Sequence, residues 1–140
     1  MIDPSYSALG SAALDQRPSR KEILVIEDDP DHRDAVRETL EEEGYRVKTA
    51  VDGADALVRL MVGPPPDLIL LDLRMPVMDG WAFMAALRRR AGICAIPVVA
   101  TTASGVAALF STRACAGHIP KPFGRIQLIA TIERCMSRPR

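Results

Sequence analysis

With 140 residues, 48% of them hydrophobic, the chain is long enough for one ordinary domain and too short for two comfortable ones. Lys plus Arg and Asp plus Glu both number 18, so the net charge is zero and no global field recruits nucleic acid or an anionic membrane surface. The three cysteines, Cys94, Cys115 and Cys135, form no CxxC pair and cannot all pair internally, so they read as buried or half-buried thiols in a reducing compartment. No basic-then-apolar segment opens the chain, and no run approaches the roughly 18 apolar residues of a membrane span, which makes the expected location cytoplasmic.

Residues 1–20 are rich in Ser, Ala, Pro and Asp without periodicity and read as a flexible arm. From Lys21 onward short apolar runs alternate with helical patterns, the signature of successive βα units around a parallel sheet covered on both faces. Ile23-Leu24-Val25-Ile26 is the first strand, and Glu27 and Asp28 end it. Asp29 caps a helix with Pro30 in its first turn, and Gly44 ends that helix after Glu41-Glu42-Glu43, three acids that oppose the helix dipole and read as solvated surface. Val47 to Val51 is the second strand. Asp52 then caps a helix carrying Ala56, Leu57 and Leu60, stopped by Gly63 and Pro64-Pro65-Pro66.

The third strand, Leu68-Ile69-Leu70-Leu71, delivers Asp72 into a loop punctuated by Pro76 and Gly80. Asp79 or Gly80 opens a helix through Trp81, Met84 and Leu87 that closes on Arg88-Arg89-Arg90, a favourable place for cations. Pro97 to Thr101 is the fourth strand, His118-Ile119 a short fifth, and Arg125 to Met136 the last helix, leaving 138–140 as a tail. In an open parallel sheet the carboxyl ends of the strands gather in a crevice at the topological switch point. Glu27, Asp28, Asp72, Thr102 and Lys121 all occupy such ends. Three clustered carboxylates raise one another's pKa, so a divalent cation is the natural way to keep them ionised; oxygen ligands with no His or Cys nearby point to Mg²⁺. A carboxylate beside Mg²⁺, with an ammonium and a hydroxyl in reach, is equipped to accept a phosphoryl group.

Over residues 21–137 the chain resembles the receiver domain of two-component response regulators, as in single-domain chemotaxis regulators. The motifs are Ile23-Leu24-Val25-Ile26-Glu27-Asp28-Asp29, Asp67 through Asp72-Leu73-Arg74-Met75-Pro76, Pro97 through Thr101-Thr102-Ala103, and Lys121-Pro122-Phe123. The resemblance implies a flavodoxin-like, doubly wound (βα)5 sandwich of three layers, its five parallel strands in the order 2-1-3-4-5. It implies that Asp72 is the phosphoacceptor, that Glu27, Asp28, Asp72 and the Arg74 carbonyl hold Mg²⁺, and that Thr102 and Lys121 are the switch hydroxyl and the site lysine. Arg74 and Ser104 would tune hydrolysis of the acyl phosphate, and His118 would stand where the family often has an aromatic that turns inward. The family usually makes the Lys-Pro bond cis, so the same is expected at Pro122.

The segment from Thr102 to Lys121 departs from the pattern: it is a few residues short, lacks the usual acidic pair, and its fourth-helix stretch carries Arg113 as its one charge, while Pro120 interrupts the fifth strand. The expected function is a signalling switch, not a turnover enzyme, that promotes its own aspartyl phosphorylation and dephosphorylation. Its partners would be a histidine kinase or phosphotransfer protein upstream and a protein target downstream, with homodimerisation a further option and neither nucleic acid nor membrane. The output surface is expected on the fourth helix, fifth strand and fifth helix, including Leu109 and Phe110. With Ser137 to Arg140 following the last helix, output is expected by protein contact, by relay to another histidine, or by a domain absent from this chain. The alternatives are a receiver from a hybrid kinase or phosphorelay, a receiver-like interaction module independent of phosphorylation, and an aspartate-nucleophile phosphohydrolase. Arg74 argues against the last, since such enzymes carry an acid there.

Overall fold

The computed structural model describes residues 20–73, 80–102 and 115–137. Within them nine elements follow in the order β1 (Glu22–Ile26), α1 (Pro30–Glu42), β2 (Arg46–Ala50), α2 (Gly53–Leu60), β3 (Leu68–Asp72), α3 (Gly80–Arg88), β4 (Val98–Thr102), β5 (Gly117–Pro120) and α4 (Arg125–Met136). The expected arm, the loop after Leu73 with Arg74, the fourth-helix stretch with Ser104, Leu109 and Phe110, and the tail lie outside the described residues.

The strands form one parallel sheet in the order β2-β1-β3-β4-β5, with Ile23 opposite Leu68 and Asp72 opposite Thr101. This is the doubly wound order expected, and its reversal between β1 and β3 opens the crevice at their carboxyl ends. The unbroken apolar runs now have a cause. Alternate residues of one strand serve two cores: Leu24, Ile26, Ile69 and Leu71 pack with Phe83 and Leu87 on one face, while Ile23, Val25, Leu68 and Leu70 pack with Leu40, Leu128 and Ile132 on the other.

Helix ends follow their local chemistry. Asp29 Oδ1 accepts from the Asp31 N–H at 3.1 Å and Asp52 Oδ1 from the Asp55 N–H at 2.8 Å, satisfying donors that each first turn leaves open. Gly44, at φ +98°, takes the left-handed step that ends α1. Gly80 has a packing reason: a Cβ there would stand 2.6 Å from the Leu73 backbone, and its N–H donates to Leu73 O at 3.1 Å, so α3 is pinned against the residue after Asp72.

Glu41, Glu42 and Glu43 are exposed, as expected of solvated surface, and Glu42 and Glu43 also meet Arg125 at the start of α4, at 2.6 and 2.7 Å. One reading needs correction. Cys94 is exposed, because Ile93 and Ile96 take the buried positions of its turn, whereas Cys115 and Cys135 are buried. Burial pushes the Cys115 thiol up to about 11, which keeps it protonated and unreactive at neutral pH. Pro120 closes β5 at its last residue, where the ladder continues through the Lys121 N–H to Thr102 O at 2.7 Å. Among the described residues no helix is long and apolar enough to cross a membrane.

Candidate functional site

Three strand ends build the crevice floor. β1 ends at Ile26 and hands the chain to Glu27 and Asp28; β3 ends on Asp72; β4 ends on Thr102. Glu27, Asp72 and Thr102 are buried, at 4%, 4% and 0% exposure, while Asp28 faces solvent. The carboxylates of Glu27, Asp28 and Asp72 converge so that one oxygen of each lies within 4.8 Å of the others. Lys121, carried by the turn after β5, places its ammonium 3.3 Å from Asp72 Oδ2 and 3.5 Å from Glu27 Oε1. The Lys121-Pro122 bond is cis, as expected.

Burial raises the Glu27 pKa above the usual carboxylate range. A hydrogen bond to His32 opposes that rise, the Asp72 charge adds to it, and the Asp29 N–H and the Lys121 charge oppose it. A convergent set of oxygen donors on a buried floor fits a hard divalent cation such as Mg²⁺ in donor type and charge. The buried Thr102 Oγ1 beside them has no hydrogen-bond partner among the described residues. A buried hydroxyl left unmatched costs about 1–3 kcal/mol, so its persistence calls for a reason.

His32 was not legible from the strand ends. Its Nδ1 lies 2.7 Å from Glu27 Oε1, and its ring packs on Phe123 with centroids 5.6 Å apart. The expectation of no histidine near the carboxylates is therefore wrong, and the reason is local: α1 starts at Pro30, and its first turn returns residue 32 to the end of β1. Arg33 joins the same turn, donating to the carbonyls of Glu27 at 2.9 Å and Asp28 at 3.4 Å. A polar residue within one turn of a helix that begins directly after a site acid is the signal that would have found both. His118 lies on β5 opposite Ala100, half-buried, and among the described residues no hydrogen bond or ion pair joins it to the carboxylates. Arg74 and Ser104 lie outside the described residues.

The family model for the response regulator receiver domain matches residues 23–133. The chain is 33% identical over 138 residues to the sensor histidine kinase TmoS of Ectopseudomonas mendocina, covering 96% of this chain and 14% of that protein. It is 32% identical over 128 residues to the transcriptional regulatory protein PrrA of Mycobacterium leprae (strain TN), covering 89% of this chain and 54% of that one. The chain thus spans about half of the regulator and about a seventh of the kinase. Among solved structures, the receiver domain of a sensor histidine kinase from Pseudomonas aeruginosa PAO1, with a magnesium ion coordinated in its active site cleft, superposes with a TM-score of 0.75 at 29% identity, covering 86% of this chain and all of that one.

Proposed function

The chain belongs to the response regulator receiver domain family, and from that premise we propose that its Asp72 carboxylate takes a phosphoryl group from a phosphohistidine of a kinase or phosphotransfer protein. The observation that carries the reading is the Lys121 ammonium, carried by the turn after the edge strand β5, within reach of both Asp72 and Glu27. Glu27, Asp28 and Asp72, with the Arg74 carbonyl, would hold Mg²⁺. When bound, that ion supplies positive charge to the carboxylates and to the transferring phosphoryl oxygens.

The residues of the chain account for the rest. An Asp72 oxygen attacks phosphorus as the donor's P–N bond breaks, and the departing imidazole keeps the electron pair and takes a proton from solvent. Lys121 is close enough to Asp72 to neutralise a phosphoryl oxygen arriving there. The unmatched Thr102 hydroxyl gains an acceptor in the product, and this new bond is the differential contact that biases the following segment toward a second arrangement. Arg74 and Ser104 are assigned to setting the lifetime of the acyl phosphate, and His118 to responding beside Thr102. Output passes through protein contact on the fourth-helix stretch, β5 and α4, where Ile126 is 85% exposed. The reaction belongs in the cytoplasm with the donor.

Intact mass after incubation with acetyl phosphate and Mg²⁺ tests the assignment. One hydroxylamine-labile phosphoryl group is expected on the wild-type chain and none on Asp72→Asn, since an acyl phosphate needs the carboxylate oxygen. Undiminished labelling of the variant overturns it.

A further inference from the structure

Both oxygens of Glu27 are already held by protein donors. Oε2 accepts the Asp29 N–H at 3.2 Å; Oε1 meets His32 Nδ1 at 2.7 Å and the Lys121 ammonium at 3.5 Å. An ionised carboxylate only accepts, so with Glu27 ionised the 2.7 Å contact is made by the tautomer that carries its proton on His32 Nδ1. The ring also packs on Phe123, two residues beyond Lys121, with centroids 5.6 Å apart. One imidazole is thus held between the first acid of the cluster and the loop that carries its lysine.

We infer that His32 is a positioning residue for the cation site: its Nδ1–H fixes the Glu27 carboxylate in the orientation the cation requires, and Phe123 fixes His32. The inference rests on the proposed Mg²⁺ site and adds a residue that does not itself touch the ion. Groups that orient a ligating side chain carry about 10- to 100-fold of metal affinity. Lys121 cannot substitute for His32, since its ammonium is shared with Asp72 and lies farther from Oε1.

Three variants of the full chain separate this role from plain packing. His32→Leu keeps bulk against Phe123 and removes the donor; His32→Asn keeps an N–H at the δ position; Phe123→Leu leaves His32 but changes its support. Mg²⁺ affinity by calorimetry is expected to fall at least about tenfold in His32→Leu, to stay within about threefold of wild type in His32→Asn, and to fall between these in Phe123→Leu. Phosphorylation by acetyl phosphate should slow in His32→Leu at low Mg²⁺ and recover at saturating Mg²⁺, a split that a packing defect would not produce. Should His32→Leu fail to fold, His32→Gln, which displaces the N–H to the ε position, takes its place with the same expectation. Unchanged or tighter Mg²⁺ binding in the donor-less variant overturns the inference while leaving the site standing. Absence of Mg²⁺ binding and phosphorylation in the wild type overturns the site itself, and the inference with it.

Discussion

Strand β1 begins at the buried Glu22 and is followed by the buried Glu27, and the two ends of the sheet treat these acids differently. At the amino edge Glu22 has the Lys48 ammonium 3.7 Å away, and its backbone exchanges hydrogen bonds with Asp67: the Glu22 N–H donates to Asp67 Oδ2 and the Asp67 N–H to Glu22 O, each at 2.8 Å. Lys48 is half in water, so this edge is a local arrangement of neighbouring strands with its charge screened. At the carboxyl edge three carboxylates from two strands meet one lysine that arrives from a third, and a buried hydroxyl lies at the end of the strand between. One edge closes its own accounts of charge and hydrogen bonding. The other gathers three carboxylates and, among the described residues, leaves the buried Thr102 hydroxyl without a hydrogen-bond partner.

The same substitution at the two lysines tests that contrast most severely. Lys121→Met removes the cation that would meet the transferring phosphoryl oxygens, and loss of one such group costs about 10²- to 10³-fold in rate. The expected result is a phosphorylation rate lower by at least about 100-fold with acetyl phosphate as donor, while calorimetry still detects Mg²⁺. In chelator the variant should also be less stable than wild type, by a margin that Mg²⁺ reduces, because the carboxylates lose the ammonium that bridges Glu27 and Asp72. A rate within threefold of wild type would remove Lys121 from the site.

A second comparison uses pH, through Cys115, which precedes β5 at the amino edge. Its folded pKa of about 11 lies above the ordinary thiol value of 9.0, so the folded state holds its proton longer than the unfolded chain. Stability from this group is therefore complete below about pH 9 and lost as pH rises toward 11. Two pH units correspond to roughly 2.7 kcal/mol, and partial solvent screening reduces that to about 1–2 kcal/mol. Urea melts at pH 8 and pH 10.5 should show wild type losing about that much more stability than Cys115→Ala across the interval. Equal losses would mean the thiol is solvated, against its burial among the side chains of the α2 and α3 face.

The elements were legible in the sequence wherever one local cause sets them. Asp29 with Pro30 and Asp52 announced the starts of α1 and α2, and Arg125 to Met136 forms α4 as its apolar spacing required. The central strands β1, β3 and β4 could be read because residues buried on two faces leave no polar alternation, whereas the edge strand β2 alternates, and β2 and β4 begin and end one residue away from where propensity drew them. The clustering of Glu27, Asp28 and Asp72 could be read because strand ends are marked in sequence. His32 could not be read this way, since its role depends on how α1 docks and on Phe123 arriving from the other end of the chain. The Glu42, Glu43 and Arg125 bridge was hidden for the same reason: more than 80 residues separate its partners.

Lys48→Met makes at the amino edge the change that Lys121→Met makes at the carboxyl edge. Lys48 is 55% exposed and reaches Glu22 only at 3.7 Å, so water already screens the pair, and exposed ion pairs contribute about 0–1 kcal/mol. Its aliphatic stem is retained by Met, so the packing beside Glu22 survives. Denaturant unfolding should therefore shift by less than about 1 kcal/mol, with an unchanged slope. Mg²⁺ affinity and phosphorylation should equal those of wild type, because the whole length of β1 separates Glu22 from Glu27. A loss well above 1 kcal/mol would show that Glu22 depends on Lys48 as a buried acid depends on its partner, leaving an uncompensated charge when the partner is removed. The two edges would then differ in the number of their acids and no longer in whether each acid is locally satisfied.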